Sequence, residues 1–332
     1  MSVYPWQQNA WQLLQQSRAR QSLAHAFIVS GVQGLGLFEF SQQLSAWLLC
    51  QQPSQQGACT VCKSCQLWAA QSHPDYRLLE QLTDEKTAKT SQVIKVDQVR
   101  QLIDFLNKSA QLNGYRVAVI HRAETLNINA ANSLLKTLEE AGAQTVIILL
   151  TESPLMLLPT IRSRCQQIIF NVPSAAQSEE WLQSQLNSQF EAKLLLALSE
   201  GAPLSALALP QTAWFVARQA LLQNILEVMQ KKHSALQMSQ QWQKQLKAEE
   251  LLTALQIMLA DIMWCKLGQQ NAIKNSDLLP IIKTIANMSA TNAILAQQKQ
   301  CLEAYHLMSA NIQPNLLFDN LWLSFSRFAH RG

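Results

Sequence analysis

The sequence has little charge and no long uncharged hydrophobic run. Only 14% of its 332 residues are Asp, Glu, Lys or Arg, whereas 48% are hydrophobic, a balance that excludes a disordered polyelectrolyte. The nearest candidate for a membrane span, residues 251–267, contains Asp261 and Lys266 and repeats its apolar residues at helical spacing. The sequence therefore predicts a folded, soluble protein.

Neither sign of charge dominates, and the N-terminus lacks a secretory signal. The net charge of +4 is too small to identify a nucleic-acid binder by electrostatics alone. Residues 1–10 contain Gln and Trp where a signal peptide would need a basic end followed by an apolar stretch. We therefore expect a cytoplasmic protein, and its length predicts two domains, or three if one is small.

Short apolar runs alternate with helical patterns through the first half of the chain. A glycine-rich turn, residues 31–36, leads into a helix predicted over Leu37–Leu49, and a second helix is predicted over Asn129–Glu140. This alternation favours an α/β domain with a mostly parallel sheet. The predicted strands are Ala26–Ser30, Arg116–His121, Thr145–Leu150 and Gln167–Phe170.

From Ser174 onward the strand patterns stop and helical periodicity takes over. A short helical segment ends near Gly201, Pro203 and Pro210 and predicts a small lid. The remainder is helical, and its clearest apolar stripe predicts core packing. That stripe comprises Leu251, Leu255, Met258, Leu259, Ile262 and Met263.

The turn after the first strand has the frame of a phosphate-binding loop, G-x-x-x-x-G-K-[ST], with glycines at Gly31, Gly34 and Gly36. Leu37 stands where Lys should reach the phosphates, and Phe38 stands where a hydroxyl should ligate Mg²⁺. An apolar pair offers neither counter-charge nor metal ligand. We therefore predict a tight strand-to-helix turn that binds no ATP.

A second element has lost the same chemistry. The strand 117–120 would end, in a working ATPase of this layout, with a carboxylate pair that holds Mg²⁺, but His121 and Arg122 follow it instead. A cation cannot ligate Mg²⁺, and imidazole ligates it poorly because Mg²⁺ prefers oxygen. The two losses together indicate a fold that has been kept without its catalysis.

Four of the seven cysteines are crowded together, which predicts a metal site. Disulfides are not expected in a cytosolic chain, and the spacing Cys50-x8-Cys59-x2-Cys62-x2-Cys65 suits one tetrahedral, structural Zn²⁺. An iron–sulfur cluster and unliganded thiols are the alternatives. His73 is expected to be a surface residue rather than a further ligand. Four thiolates would leave no open position for a substrate.

Two arginines, Arg162 and Arg164, precede the last predicted strand, and by themselves they would be interpreted as solvated surface charge. However, the segment 131–140 is followed after 22 residues by Ser163-Arg164-Cys165, and this pair of motifs resembles the clamp-loader branch of the AAA+ ATPases. The four-cysteine insertion, the start Tyr4-Pro5-Trp6 and the segment 311–317 extend the resemblance to nearly the whole chain. It is most similar to the clamp-loader subunits of bacterial DNA polymerase III.

The resemblance implies three domains. These are a RecA-like AAA+ α/β domain at 1–168 that carries the zinc module at 50–65, a small helical lid at 169–209, and a helical collar for oligomerisation at 210–332. It also implies that Arg164, with Ser163 and Cys165 completing the motif, is an arginine finger that reaches into the nucleotide site of a neighbouring subunit. Arg162 is not part of the family pattern.

The resemblance further implies a subunit without intrinsic ATPase activity in the DNA polymerase III holoenzyme, a nucleotidyltransferase complex. Its partners would be the gamma or tau motor subunits and a delta subunit in a pentamer. Through the complex it would act on the sliding clamp and primed DNA during replication, with no membrane partner. The alternatives are a zinc-dependent DNA-binding protein and an independent NTP-hydrolysing enzyme. The first lacks clustered cations, because Lys63 is the only charged residue between Cys50 and Cys65.

Overall fold

The computed structural model divides into two compact units, residues 1–173 and 174–332. It describes residues 3–82, 91, 93–112, 114–140, 142, 144–186, 190–308 and 314–327. The first unit is an α/β fold, and the described part of the second is helical. The predicted fold class, a RecA-like parallel-sheet domain followed by helical structure, is confirmed.

Helices and strands alternate along the first unit, as the apolar pattern predicts. In chain order its elements are α1 (Gln8–Ala19), β1 (Ala26–Ser30), α2 (Leu37–Leu49), α3 (Lys63–Ala69), β2 (Tyr76–Leu79), α4 (Val96–Leu106), β3 (Arg116–Ile120), α5 (Ile128–Glu139), β4 (Thr145–Thr151), α6 (Pro159–Arg162) and β5 (Gln166–Ile169). The four predicted strands lie within one residue of the observed bounds. β2 was not predicted.

The five strands form one parallel sheet in the order β2-β3-β4-β1-β5. Every residue of β1, β3 and β4 is buried, because helices cover both faces of the sheet. Ile147 and Leu149 of β4 belong to the same buried cluster as Leu134 and Leu138 of α5. Each such side chain contributes about 1.5–3 kcal/mol when it leaves water. The sheet is therefore a rigid base for the loops at its edges.

The second unit is built from nine described helices around one core. They are α7 (Ala175–Gln185), α8 (Ala192–Leu198), α9 (Pro203–Ala208), α10 (Ala213–Met229), α11 (Ala235–Gln245), α12 (Ala248–Lys266), α13 (Leu279–Met288), α14 (Thr291–Met308) and α15 (Pro314–Phe325). The stripe on α12 is buried, as predicted. One hydrophobic cluster extends from Leu182 to Phe325. The predicted lid and collar segments therefore share a core, and a domain boundary at 209 stays a prediction.

Asp261, on the apolar helix α12, is fully buried and anchors the loop that follows this helix. Its carboxylate accepts hydrogen bonds from the backbone N–H of Lys274 at 2.7 Å and from the backbone N–H and side-chain amide of Asn275 at 2.9 and 2.7 Å. Burial raises the pKa of Asp261, and these donors partly offset the shift. The charge that interrupts this hydrophobic segment thus has a structural partner in the loop.

Over the described residues, no single helix has the length and apolar composition to cross a membrane. One pair of segments, Ala192–Leu198 with Pro203–Gln211, meets the length and composition criteria together but is bent by 113°. All four leucines of α8 are buried in the core of the second unit.

Candidate functional site

The glycine-rich turn joins β1 to α2 tightly, in the frame of a phosphate loop. A Cβ on Gly31 would lie 2.7 Å from the carbonyl oxygen of Phe170, so the close approach of these two chain segments requires glycine. Gly36 caps α2 with a positive φ of 78°. The loop is therefore a tight strand-to-helix turn, and Leu37 and Phe38 are the first helical residues after it.

Residues 4–7 pack directly against this loop. The indole N–H of Trp6 donates to the carbonyl of Leu35 at 2.8 Å, and the amide of buried Gln7 donates to the carbonyls of Leu35 and Gly36, both at 2.9 Å. The ring of Tyr4 stacks on Trp6 and lies 2.6 Å from the position of a Cβ on Gly36. The N-terminal segment thus holds the loop in one conformation, a contact that the sequence analysis did not predict.

The two positions at which the sequence analysis expects metal ligands to be missing lie side by side. The rings of Phe38 and His121 are in contact, with centroids 5.3 Å apart. Both residues lie at the carboxyl edge of the sheet, since Phe38 is the second residue of α2, which follows β1, and His121 follows β3. The structure therefore brings together the two positions, after β1 and after β3, that the sequence analysis singled out.

Two carboxylates that sequence reasoning missed lie near this edge. Glu124 faces Arg122, with Oε1 3.7 Å from Nε, and Glu152 follows β4. Burial and then the charge of Glu124 raise the pKa of Glu152, whereas Arg122 and His121 lower it. At this edge Glu124 therefore has the Arg122 guanidinium as its partner.

Arg164 is held by three groups of the same unit. Its Nε donates to Glu139 Oε1 at 2.5 Å, and its Nη2 forms an ion pair with the same oxygen. Its Nη1 donates to the Thr160 carbonyl at 2.9 Å and to Ser163 Oγ at 3.3 Å. About a third of the side chain, 33%, remains exposed. The guanidinium is therefore oriented at the surface rather than free to rotate.

The motif around Arg164 lies at the opposite edge of the sheet from the phosphate loop. β1 and β5 are parallel neighbours in which Phe27 aligns with Gln166, so Arg164 precedes the amino end of β5 while the loop leaves the carboxyl end of β1. Five strand residues at about 3.3 Å each separate these edges by about 16 Å. Arg164 and the glycine-rich loop of the same chain therefore lie at opposite ends of the strands.

The two other motif residues, Ser163 and Cys165, and the neighbouring Arg162 differ in their surroundings. Cys165 is buried in the core beside the sheet, and burial raises the pKa of its thiol to about 12. Ser163 is exposed and its hydroxyl donates to the Thr160 carbonyl at 3.1 Å. Arg162 is half-buried, and its Nε has no hydrogen-bond partner among the described residues. Cys165 is therefore a packing residue rather than a nucleophile.

The four predicted cysteine ligands converge. The sulfurs of Cys50 and Cys62 are 3.9 Å apart, those of Cys59 and Cys65 are also 3.9 Å apart, and all four lie within 4.8 Å of one another. Zinc with four thiolates at about 2.3 Å separates its ligands by about 3.8 Å. The cluster therefore has the size and the donor set of a tetrahedral metal site.

Backbone N–H groups point at these sulfurs. Cys59 donates to Cys50 Sγ at 3.2 Å, Cys62 to Cys59 Sγ at 3.4 Å and Cys65 to Cys62 Sγ at 3.5 Å. Burial opposes ionisation of Cys62, but hydrogen bonds from the backbone N–H groups of Cys65 and Gln51 and from the thiols of Cys65 and Cys59 together outweigh it and lower its pKa to about 6. Burial raises the pKa of Cys50 and Cys65. Thiolates ligate metals, and a bound cation would favour that form at all four positions.

His73 is buried beside the cluster, so its prediction as a surface residue is wrong. Its Nδ1 accepts from the Asp75 backbone N–H at 3.1 Å, which leaves Nε2 to pair with Ser64 Oγ at 2.7 Å. The Ser64 hydroxyl donates in turn to the Leu49 carbonyl at 2.6 Å. Burial lowers the pKa of His73. Ser64 thus links the cysteine-bearing helix α3 to the end of α2, and His73 supports this serine without being part of the four-sulfur group.

Two family profiles match the chain. The profile described as DNA polymerase III, delta subunit, matches residues 6–174, and the profile described as DNA polymerase III, delta subunit, C terminal, matches residues 212–327. The segment 311–313, which contributed to the resemblance noted in the sequence, lies outside the described residues.

Characterised relatives are similar over the full length. DNA polymerase III subunit delta' of Pseudomonas aeruginosa is 34% identical and covers 99% of both chains. The subunit delta' of Yersinia pestis is also 34% identical, over 100% of this chain and 98% of its own. Among solved structures, a DNA polymerase III gamma subunit-related protein from Thermotoga maritima is 19% identical, with a TM-score of 0.44 over 96% of this chain and 99% of its own.

Proposed function

The chain belongs to the DNA polymerase III delta subunit family, and from this premise we propose that it is a delta'-type clamp-loader subunit that binds no ATP and acts on a neighbouring subunit's nucleotide site. The observation that carries the proposal is the asymmetry of its sheet. The edge that would hold a nucleotide has lost its ligands, whereas the opposite edge presents an oriented arginine.

The absence of ATPase activity follows from the carboxyl edge of the sheet. Leu37 supplies no charge to the phosphates, and the contact between Phe38 and His121 puts rings where Mg²⁺ would need oxygen ligands. The contacts of Trp6 and Gln7 with the loop carbonyls hold the turn in place without a nucleotide. Binding energy that working motor subunits obtain from Lys, hydroxyl and carboxylate groups is missing here.

The amino edge supports a role in trans. A guanidinium at the amino ends of the strands, opposite the loop of its own chain, could reach a phosphate held by another subunit. Arg164 would there stabilise the charge that develops on the transferred phosphoryl group. Ser163 and the Thr160 carbonyl orient its Nη1.

The four-cysteine cluster fits one structural zinc ion. Cys50, Cys59, Cys62 and Cys65 would hold it, and the metal would supply a cross-link between the end of α2 and the start of α3 rather than a reactive centre. Four thiolates fill the tetrahedral coordination and leave no position for substrate, which argues against a zinc enzyme. The residues 50–65 have a structural role in this proposal.

The partners follow from the family. The chain would assemble with gamma or tau motor subunits and a delta subunit into a pentamer, through its second unit acting as the collar. The complex would load the sliding clamp onto primed DNA in the cytoplasm.

The experiment that tests this function is assembly from purified components. We expect the chain, mixed with motor and delta subunits of the same organism, to form a single complex whose native mass corresponds to five chains that include one copy of it. Clamp loading on primed DNA should require its addition. A chain that stays monomeric beside these partners, with clamp loading unaffected, would contradict the proposal.

A separate prediction concerns nucleotide. The isolated chain should show no ATP hydrolysis and no binding of Mg-ATP at millimolar concentration, because both the charge and the metal ligands are missing from the loop. Isothermal calorimetry and a phosphate-release assay check this. Hydrolysis that disappears in Gly36→Ala, a change that strains the loop at its positive φ, would overturn it.

A further inference from the structure

Glu139 makes the closest contacts to Arg164. It lies outside the Ser163-Arg164-Cys165 motif, near the end of the segment 131–140. It is the last residue of α5, and its Oε1 accepts from Arg164 Nε at 2.5 Å while it also pairs with Nη2. The two residues are 25 positions apart in the chain. The sequence alone gives no sign of this pairing.

The pair lies where helix geometry supports it. The carboxyl end of α5 faces the amino edge of the sheet, as the 2.7 Å contact between His25 Nε2 and the Leu138 carbonyl shows. A cation is favoured at the C-terminal end of a helix dipole. Arg164 therefore meets both the carboxylate of Glu139 and the negative end of the helix that carries it.

The contacts engage all three nitrogens of the guanidinium and restrain the whole group. Glu139 takes the side formed by Nε and Nη2, while the Thr160 carbonyl and Ser163 Oγ take Nη1. Among the described residues, Nη2 has no partner besides Glu139. The second N–H of Nη2 can therefore still donate to a phosphate oxygen.

We propose that Glu139 is the positioning residue of this arginine finger: it fixes the guanidinium before the neighbouring subunit docks. The inference rests on the proposed function. An unrestrained arginine on the surface samples many rotamers, and ordering one costs conformational entropy when the interface forms. A carboxylate that orders the side chain in the free subunit removes that cost from the step in which the neighbour's phosphate is engaged.

The first test uses the isolated chain and needs no activity. In protein labelled with isotopic nitrogen on arginine, the Nε–H signal of Arg164, assigned by its loss in Arg164→Lys, should be distinct and slow to exchange with water. Glu139→Ala should bring it into fast exchange, and Glu139→Gln, which keeps an oxygen acceptor, should retain part of the protection. Glu140→Ala is the matched control, because Glu140 is exposed and has no described ion pair. An Arg164 signal that is unchanged in Glu139→Ala overturns the proposal.

The second test uses the reconstituted clamp loader. Glu139→Ala should lower kcat of the finger-dependent ATPase step about 2- to 10-fold, since ordering one long side chain has an effect of this size, and should leave KM for ATP unchanged. In Arg164→Ala, adding Glu139→Ala should lower the rate no further, because Glu139 acts only through the arginine. An equal loss in both backgrounds would overturn the positioning role. If Arg164→Ala does not change the ATPase rate, the finger assignment of the proposed function is wrong. The Glu139–Arg164 contact is still tested independently by the exchange measurement on the isolated chain.

Discussion

Arg164→Ala is expected to reduce clamp loading sharply while the complex still assembles. The residue lies on the α/β unit, whereas the helical second unit is the proposed site of assembly. Removing an arginine finger lowers phosphoryl transfer at the affected site about 10³- to 10⁵-fold in related systems. Total ATP hydrolysis should fall only in part, because the other nucleotide sites take their fingers from other subunits. Single-turnover ATPase and clamp-loading assays on the same preparation measure both effects.

Two further variants separate the finger from general charge. Arg164→Lys should rescue little, because an ammonium lacks the planar fork that engages two oxygens. Arg162→Ala removes a charge of the same sign two residues away and should have the smaller effect. Normal clamp loading by Arg164→Ala in an intact pentamer would show that the motif is only a structural turn at the start of β5.

Loss of the metal is expected to lower the stability of the protein, and this is the second large effect. Elemental analysis of purified protein should give about one zinc per chain, and Cys62→Ser should lower both the zinc content and the melting temperature. Structural zinc in small peptides contributes roughly 10–16 kcal/mol of apparent binding free energy, so a three-ligand site loses a substantial part of it. Hydrogen exchange should rise over residues 50–65 and stay low in β1 and β4.

Cys265→Ser is the matched control for this variant. Cys265 is a half-buried free cysteine on α12, in the other unit. Its replacement should leave zinc content unchanged. Fully folded wild-type protein that contains neither zinc nor iron would contradict the metal assignment.

The sequence could predict the sites whose residues are close together in the chain. The four cysteines lie within 16 positions, so their spacing alone limits how far apart the sulfurs can be. The bounds of β1 and α2 followed equally well from an apolar run, a glycine turn and a helical pattern. In these segments local pattern and tertiary environment favour the same structure.

The contacts that were missed are the ones between distant segments. Nothing in the sequence pairs Glu139 with Arg164 or brings Gln7 to the carbonyls of Leu35 and Gly36. His73 looked like a surface residue because histidine is polar, and only the structure shows that Ser64 and Asp75 satisfy both of its ring nitrogens. Buried polar groups depend on such partners, and periodicity carries no information about them.

β2 was missed for a different reason. It lies at the edge of the sheet, where it pairs with β3 alone, and only Leu79 of its four residues is buried. A short edge strand has neither the continuous apolar run of β4 nor a strict alternation of apolar and polar residues. Its assignment depends on the neighbouring strand rather than on its own composition.

The sheet order also determines when this domain can fold during synthesis. β1 is made first among the strands, yet its neighbours are β4 and β5, with Ala26 beside Ile147 and Phe27 beside Gln166. β1 can therefore pair with both neighbouring strands only after nearly the whole unit has been synthesised. Such long-range pairing slows folding and leaves an unpaired hydrophobic strand exposed in nascent chains. A truncation before residue 166 would leave β1 at a bare sheet edge, a place where chains associate by strand pairing.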